Sequence, residues 1–144
     1  MDHTLSLKRA SSQDKDILAL IQESTSDPYL GDIASTRRIS DVVALYVKNS
    51  AVGFAIPRRD SDGRYRTGAI YITPAQRQKG YAKQYLNLYF KNKAGRAYIE
   101  PANKASQGLF SSVGFTKSGK TIKSEGSVFE EWLLDRPAPT AFKW

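Results

Sequence analysis

The sequence predicts a mixed α/β (α+β) domain, with one central, mixed but mostly antiparallel sheet of about six to seven strands flanked by about four helices. Three observations carry that expectation. Short alternating apolar runs occur at both ends of the chain, and between them the apolar period changes from two to about 3.6 residues. The length of 144 residues is enough for one domain with a sizeable core. Aromatic residues, 8 Tyr, 6 Phe and 2 Trp, are spread along the chain, so core-forming material is present throughout.

Taken in order, Leu5 to Lys8 alternates and reads as a first strand. Ser11 or Ser12, followed by Asp14 and Asp16, starts a helix with acids in its first turn, and Ile17, Leu18, Leu20 and Ile21 supply its buried face. From Ser24 to Arg38, Ser, Thr, Asp, Pro and Gly interrupt every apolar run, which predicts a loop holding at most one short helix. Val42 to Val47 and Ala51 to Ile56, separated by Asn49-Ser50, read as a hairpin. A second turn at Asp60 to Gly63 leads into Tyr65 to Ile72, giving three consecutive antiparallel strands.

After Thr73-Pro74, Tyr81, Tyr85, Leu88 and Tyr89 fall at helical spacing, and Ala82, Leu86 and Phe90 widen the stripe. Ala97 to Ile99 is a short strand. Asn103 is a good N-cap, Leu109, Phe110 and Val113 mark the inner face of the helix that follows, and Gly114 closes it. Phe115 to Ile122 and Val128 to Leu134 form a last hairpin. The expected domain is 1–136, with 137–144 as a tail whose Phe142 and Trp144 would dock on the body or serve a homodimer.

With no cysteine, zinc-thiolate sites, iron–sulfur clusters, disulfides and thiol nucleophiles are excluded. The lone His3 argues against a histidine metal site and against Ser/His catalysis. No stretch has the length and apolarity of a signal peptide or a membrane span, so a cytoplasmic protein without membrane attachment is expected. The net charge of +8 calls for an anionic ligand. From Arg58 to Lys123, fourteen Lys and Arg face three acids, while the rest of the chain is net −3.

The most informative stretch runs from Ile70 through Thr73-Pro74-Ala75-Gln76-Arg77-Gln78-Lys79-Gly80 into Tyr81-Ala82-Lys83, a strand entering a helix through a polar, basic turn. Such a turn collects the free N–H groups and the positive dipole end of a helix, which favours phosphate. The spacing alone also suits an ordinary strand-to-helix turn with a solvated basic face.

Arg77-x-x-Gly80-x-Ala82 after this strand resembles the acetyl-CoA signature Q/R-x-x-G-x-G/A of the GNAT superfamily of N-acetyltransferases. Asn103 with Leu109, Phe110, Gly114 and Phe115 resembles the second conserved segment of that family, and the two together cover about a third of the chain. The resemblance implies that the backbone of Gln78, Lys79, Gly80, Tyr81, Ala82 and Lys83 holds the CoA pyrophosphate with Arg77 beside it. It implies too that the strand edge at Ile70, Tyr71 and Ile72 pairs with the pantetheine amides, and that Asn103 touches the pantetheine arm. An N–H near Ile72 would stabilise the oxyanion of the thioester carbonyl, and no metal is implied.

The chain departs from the family pattern at Phe110, where many members carry a Tyr that protonates the leaving thiolate. Water or another group then does this work, or the chain binds acyl-CoA without turning it over. As base for the acceptor ammonium, Glu100 is the best candidate, being the only acid between Asp62 and Glu125, with Tyr98 two residues earlier on the same strand face. An ion pair with a nearby Lys or Arg is the equal alternative for Glu100, and Tyr71 is either a pocket wall or core. Tyr29 is either a closing loop aromatic or surface.

The expected function is acetyl transfer from acetyl-CoA directly to a primary amine, since an acetyl-cysteine intermediate is impossible. The acceptor is a protein Lys or N-terminus, a small amine, or an amine carried on a nucleic acid. Asp27, Asp32 and Asp41 favour a cationic amine. Arg58, Arg59, Arg64 and Arg66 would either grip phosphates or form a solvated turn with Asp60 and Asp62. The alternative function is a weak or inactive module that binds acyl-CoA or nucleic acid.

Overall fold

The computed structural model describes residues 4–26 and 38–135. Tyr29, Asp27, Asp32 and the tail from Pro137 to Trp144 lie outside the described residues. Among the described residues nine strands pair into a four-stranded sheet and a five-stranded sheet. Three α-helices accompany them among the described residues. The mixed, mostly antiparallel character is as expected, while the pairing is divided into two ladders in place of one sheet. The chain falls into two compact units, one holding the described residues up to Pro57 together with Thr67–Tyr85, the other holding Arg58–Arg66 and the described residues from Leu86 onward.

In the first unit, β1 (Leu5–Arg9), β2 (Val43–Val47), β3 (Ser50–Ala55) and β6 (Ile70–Ile72) pair antiparallel throughout. Helix α1 (Lys15–Ser24) begins at Asp14, whose carboxylate turns back to accept from the Ser11 N–H at 2.8 Å. Its end is equally local. Ser24, Thr25 and Ser26 each donate a hydroxyl to the carbonyl three residues earlier, occupying the acceptors a further turn would need. Ile17 of α1 packs with Val42, Ala44, Phe54, Ile56 and Tyr71, and Leu20 and Ile21 lie against that cluster. Leu18, expected on the buried face, is exposed, because it falls outside the arc that Ile17 and Ile21 present to the sheet.

The third strand of the expected meander is in fact two. Tyr65 to Ile72 breaks at Gly68, which has φ +62° and sits so close to Ile56 that a Cβ would lie 2.0 Å from the Ile56 carbonyl oxygen. The backbone turns there as only glycine does readily. β5 (Tyr65–Arg66) pairs with β4 (Arg58–Arg59) in the five-stranded sheet, and β6 pairs with β3 in the four-stranded one.

In the second unit, β7 (Gly95–Ile99) lies between β5, its one parallel neighbour, and β9 (Ser127–Leu134), which pairs with β8 (Thr116–Ser124). Helix α3 (Lys104–Ser112) starts where expected, with Asn103 Oδ1 accepting from the Ser106 N–H at 3.1 Å. It closes in a Schellman arrangement: Phe115 N–H bonds to Phe110 O, Gly114 N–H to Ser111 O, and Gly114 has φ +106°. Phe110, Phe115 and Phe90 stack edge to face at 5.0 and 5.1 Å.

Helix α2 (Tyr81–Tyr89) starts in the first unit and ends in the second. Tyr81, Tyr85 and Leu86 are buried, whereas Leu88, predicted for the inner stripe, is exposed. The tyrosine pair at positions i and i+4 sets the inward arc, and Leu88 lies beyond it. No helix among the described residues is long and apolar enough to cross a membrane.

Arg96 on β7 is the electrostatic centre of the second unit. It bonds Asp60 at 2.8 Å, Asp62 at 2.6 Å and the buried Glu131 at 3.0 Å. Chiefly through Arg96, the Asp62 carboxyl is held down at about 2. Arg96→Ala strands Glu131 without its cation and should cost about 3 kcal/mol in urea unfolding at neutral pH. Because the folded-state pKa of Asp62 lies below its usual 3.8, its contribution is present above that value and is lost as pH falls toward about 2. The wild type should therefore lose stability across that acid window, and Arg96→Ala should lose much less there; parallel pH profiles would contradict this assignment.

Candidate functional site

β6 is an edge strand of its sheet, with β3 on one side. Thr73 N–H bonds to Val52 O at 3.0 Å and Ile56 N–H to Ala69 O at 2.9 Å, in register with the pairs Gly53↔Ile72 and Ala55↔Ile70. Antiparallel alternation then turns the N–H and C=O of Tyr71 toward β3 and those of Ile70 and Ile72 away from it, onto the open edge. This edge is short but has the geometry to accept an extended partner as an added strand.

From Ile72 the chain passes through Thr73, a single turn at Pro74–Gln76, and the exposed residues Arg77, Gln78, Lys79 and Gly80 into α2. Gln78 has φ +63° and Gly80 φ +82°, while Lys79 between them does not have a positive φ. Alternation in the sign of φ is the kind of turn in which successive N–H groups can converge on one side, as in an anion-binding nest. The first intrahelical bond of α2 runs from Gln84 N–H to Gly80 O, so the helix N-terminus opens at the glycine. A Cβ on Gly80 would meet nothing within 4 Å, leaving the backbone approachable there. Lys79 Nζ bonds Gln76 Oε1 at 3.1 Å, Lys83 is exposed, and Ala82 is half-buried.

Around the exit of β6 stands a cluster that the sequence reading missed. Glu23, near the end of α1, accepts through Oε2 from the Tyr71 hydroxyl and, at 2.8 Å, from Thr73 Oγ1. Those bonds, first Tyr71 and then Thr73, together with the Arg77 charge, hold the Glu23 carboxyl below the usual carboxylate range. Arg77 lies with its guanidinium carbon 5.5 Å from the Tyr71 ring centroid and donates Nε–H to Ile72 O at 2.7 Å. Tyr71 itself is buried against Phe54, rings 5.6 Å apart, so it is a core residue with a polar tip. The contact joins residues 48 apart, and an acid late in a helix carries no local mark of such a partner.

In the second unit, Tyr98 and Glu100 follow Arg96 at alternate positions of β7 and its end, on the half-buried face. Arg66 stacks its guanidinium 5.2 Å from the Tyr98 ring centroid. The Glu100 carbonyl receives the Asn103 N–H at 2.9 Å, and no cation among the described residues pairs with its carboxylate. Asn103 spends its side-chain oxygen on the cap of α3, leaving its amide N–H groups for other partners. Phe110 is buried in the phenylalanine stack.

The hairpin-turn arginines are largely paired internally. Arg66 bonds Asp60 at 2.9 Å, Arg64 bonds Asp135 at 2.6 Å and the carbonyls of Gly95 and Leu134, and Arg59 stacks on Tyr65. Of the acids expected near an acceptor, Asp41 pairs with Arg38 at 3.8 Å.

No protein-family model and no curated protein sequence matches the chain. Solved structures match it in fold. An N-acetyltransferase from Staphylococcus aureus superposes with a TM-score of 0.67 at 12% identity, over 90% of this chain and 100% of that one. A GNAT-family acetyltransferase from Streptococcus agalactiae gives 0.73 at 13% identity, over 95% and 98%. Arabidopsis thaliana Naa50, in complex with the bisubstrate analogue CoA-Ac-MVNAL, gives 0.63 at 16% identity, over 92% and 99%. The chain thus has the fold of the GNAT N-acetyltransferases.

The Glu23 cluster makes a direct prediction. In a double-mutant cycle of Glu23→Ala and Tyr71→Phe, the coupling should be about 1 kcal/mol at neutral pH. Since the Glu23 pKa is lowered in the folded protein from its ordinary 4.5, that coupling should be fully present above 4.5 and fade as acid carries the pH below it and through the lowered folded-state pKa. Additive single mutants in urea unfolding would show that the contact contributes nothing.

Proposed function

We propose that this chain is an N-acetyltransferase that moves acetyl directly from acetyl-CoA to a primary amine. The observation that carries this reading is the run from an open strand edge at Ile70 and Ile72, through a turn with positive φ at Gln78 and Gly80, into a helix N-terminus that begins at a glycine. Within a GNAT acetyltransferase fold, such an edge suits an extended amide-bearing arm and such a turn suits a diphosphate. That Naa50 accommodates a CoA-peptide conjugate supports an amine acceptor of the same kind.

On this reading the backbone of Gln78 to Lys83 holds the diphosphate, Arg77 and Lys79 add charge beside it, and Ile70 and Ile72 pair with the pantetheine arm. The group supplies, when bound, an activated acetyl thioester. The Ile72 N–H polarises the thioester carbonyl and stabilises the oxyanion that forms as the amine attacks. Glu100 takes the proton of the acceptor ammonium, with Tyr98 beside it on the same strand face. Phe110 has no proton to give, so the leaving thiolate is protonated by water. A second reading, a module that binds acyl-CoA without turnover, is favoured by one observation alone, the burial of Phe110 in an aromatic stack where other members act through a Tyr.

Calorimetric titration with acetyl-CoA should give saturable binding, and its absence defeats both readings. Thiol release with a panel of amines then separates them, since only the enzyme releases thiol. Glu100→Gln should lower turnover by a factor of about 10² or more with acetyl-CoA affinity unchanged. An equal loss of both would make Glu100 a structural residue. Gly80→Val, which forces a branched side chain into a left-handed position at the open end of α2, should weaken acetyl-CoA binding by about tenfold or more.

A further inference from the structure

We infer that Arg77 is a specificity-determining residue that closes the strand edge to thioesters lacking phosphate and opens it to those that carry it. The inference rests on the acyl-CoA reading above and adds a selection step to it. Its basis is the position of one bond. The Ile72 carbonyl faces the open edge of β6, and the donor that reaches it from that side is Arg77 Nε, at 2.7 Å. The guanidinium therefore stands where the N–H of an added strand would arrive.

Arg77 is held there by more than the carbonyl. Its guanidinium lies over the Tyr71 ring, and the negative charge of Glu23, itself fixed by Tyr71 and Thr73, acts on it as well. An amide-bearing arm that pairs with Ile72 must move this cation out of the ladder direction. For a phosphate-free thioester the displacement is an uncompensated loss of a charge-assisted bond. For CoA, the cation released from Ile72 is only five residues along the chain, beside the Gln78–Gly80 turn, where a diphosphate would receive it. A ligand shifts such an equilibrium only by its differential affinity for the two positions, and the phosphates supply that difference.

The reading of Arg77 as a mere phosphate contact predicts no change for the phosphate-free ligand, and that makes the test decisive. Calorimetric titration should compare acetyl-CoA with acetyl-pantetheine on the wild type and on Arg77→Met, which keeps an alkyl stem over Tyr71 while removing the donor and the charge. Acetyl-pantetheine should bind Arg77→Met about tenfold more tightly than it binds the wild type. Acetyl-CoA should bind the variant no more tightly, so the preference for the phosphorylated ligand shrinks by the same factor or more. Arg77→Ala provides a second variant, and thermal unfolding of both establishes that they fold. Unchanged or weaker binding of acetyl-pantetheine in the folded variants, with acetyl-CoA still bound by the wild type, overturns the gate alone. Failure of the wild type to bind acetyl-CoA overturns the site reading and the gate with it.

Discussion

At Gly68 the backbone adopts a left-handed conformation within 2.0 Å, measured from an added Cβ, of the Ile56 carbonyl, and this constraint decides how the middle of the chain is paired. Before it, Tyr65 and Arg66 belong to one sheet; after it, Ile70 to Ile72 belong to another. The Ile56 N–H to Ala69 O bond fixes the register immediately beyond the turn. Since β6 enters its sheet as the last strand, the outward groups of Ile70 and Ile72 are left on an edge, and everything proposed for ligand pairing follows from that placement. A continuous strand from Tyr65 to Ile72 would give neither the break nor the short open edge.

The charges follow a similar division of labour. The Arg58 to Lys123 segment carries all of the excess positive charge, but its arginines near the hairpin turn and Arg96 face Asp60, Asp62, Glu131 and Asp135 and are largely balanced in place. Arg96 alone serves three carboxylates, and bonding of that kind holds a sheet in register more than it attracts a ligand. The cations that stay exposed after this accounting include Arg77, Lys79 and Lys83, which lie in the turn before α2 or in its first turn. The field suited to an anionic ligand is thus concentrated at the helix N-terminus, where backbone dipoles point the same way.

Much of the architecture was legible because it is specified locally. Asn103 reads as a cap and caps α3, Gly114 reads as its stop and closes it, and Thr73-Pro74 marks the change from strand to helix period. The basic turn that opens α2 was legible for the same reason, since Thr73-Pro74 and Gly80 mark a passage from strand to helix within a few residues. Leu18 and Leu88 were misread because an apolar residue at the margin of a helical arc is buried or exposed according to what packs against it. Glu23 was not legible at all, as its partners Tyr71 and Thr73 lie about fifty residues away and nothing adjacent to it signals them.

What the sequence determined by itself is therefore most of the elements, the cap and stop of α3, and a glycine-containing basic loop at a helix start, because each depends on interactions within a few residues. The tertiary structure alone decided which strands share a sheet, which carboxylates neutralise the arginines, and which residues Glu23 engages. Those outcomes depend on pairing across long separations, where a register or a single positive φ at Gly68 selects among partners that look equivalent along the chain.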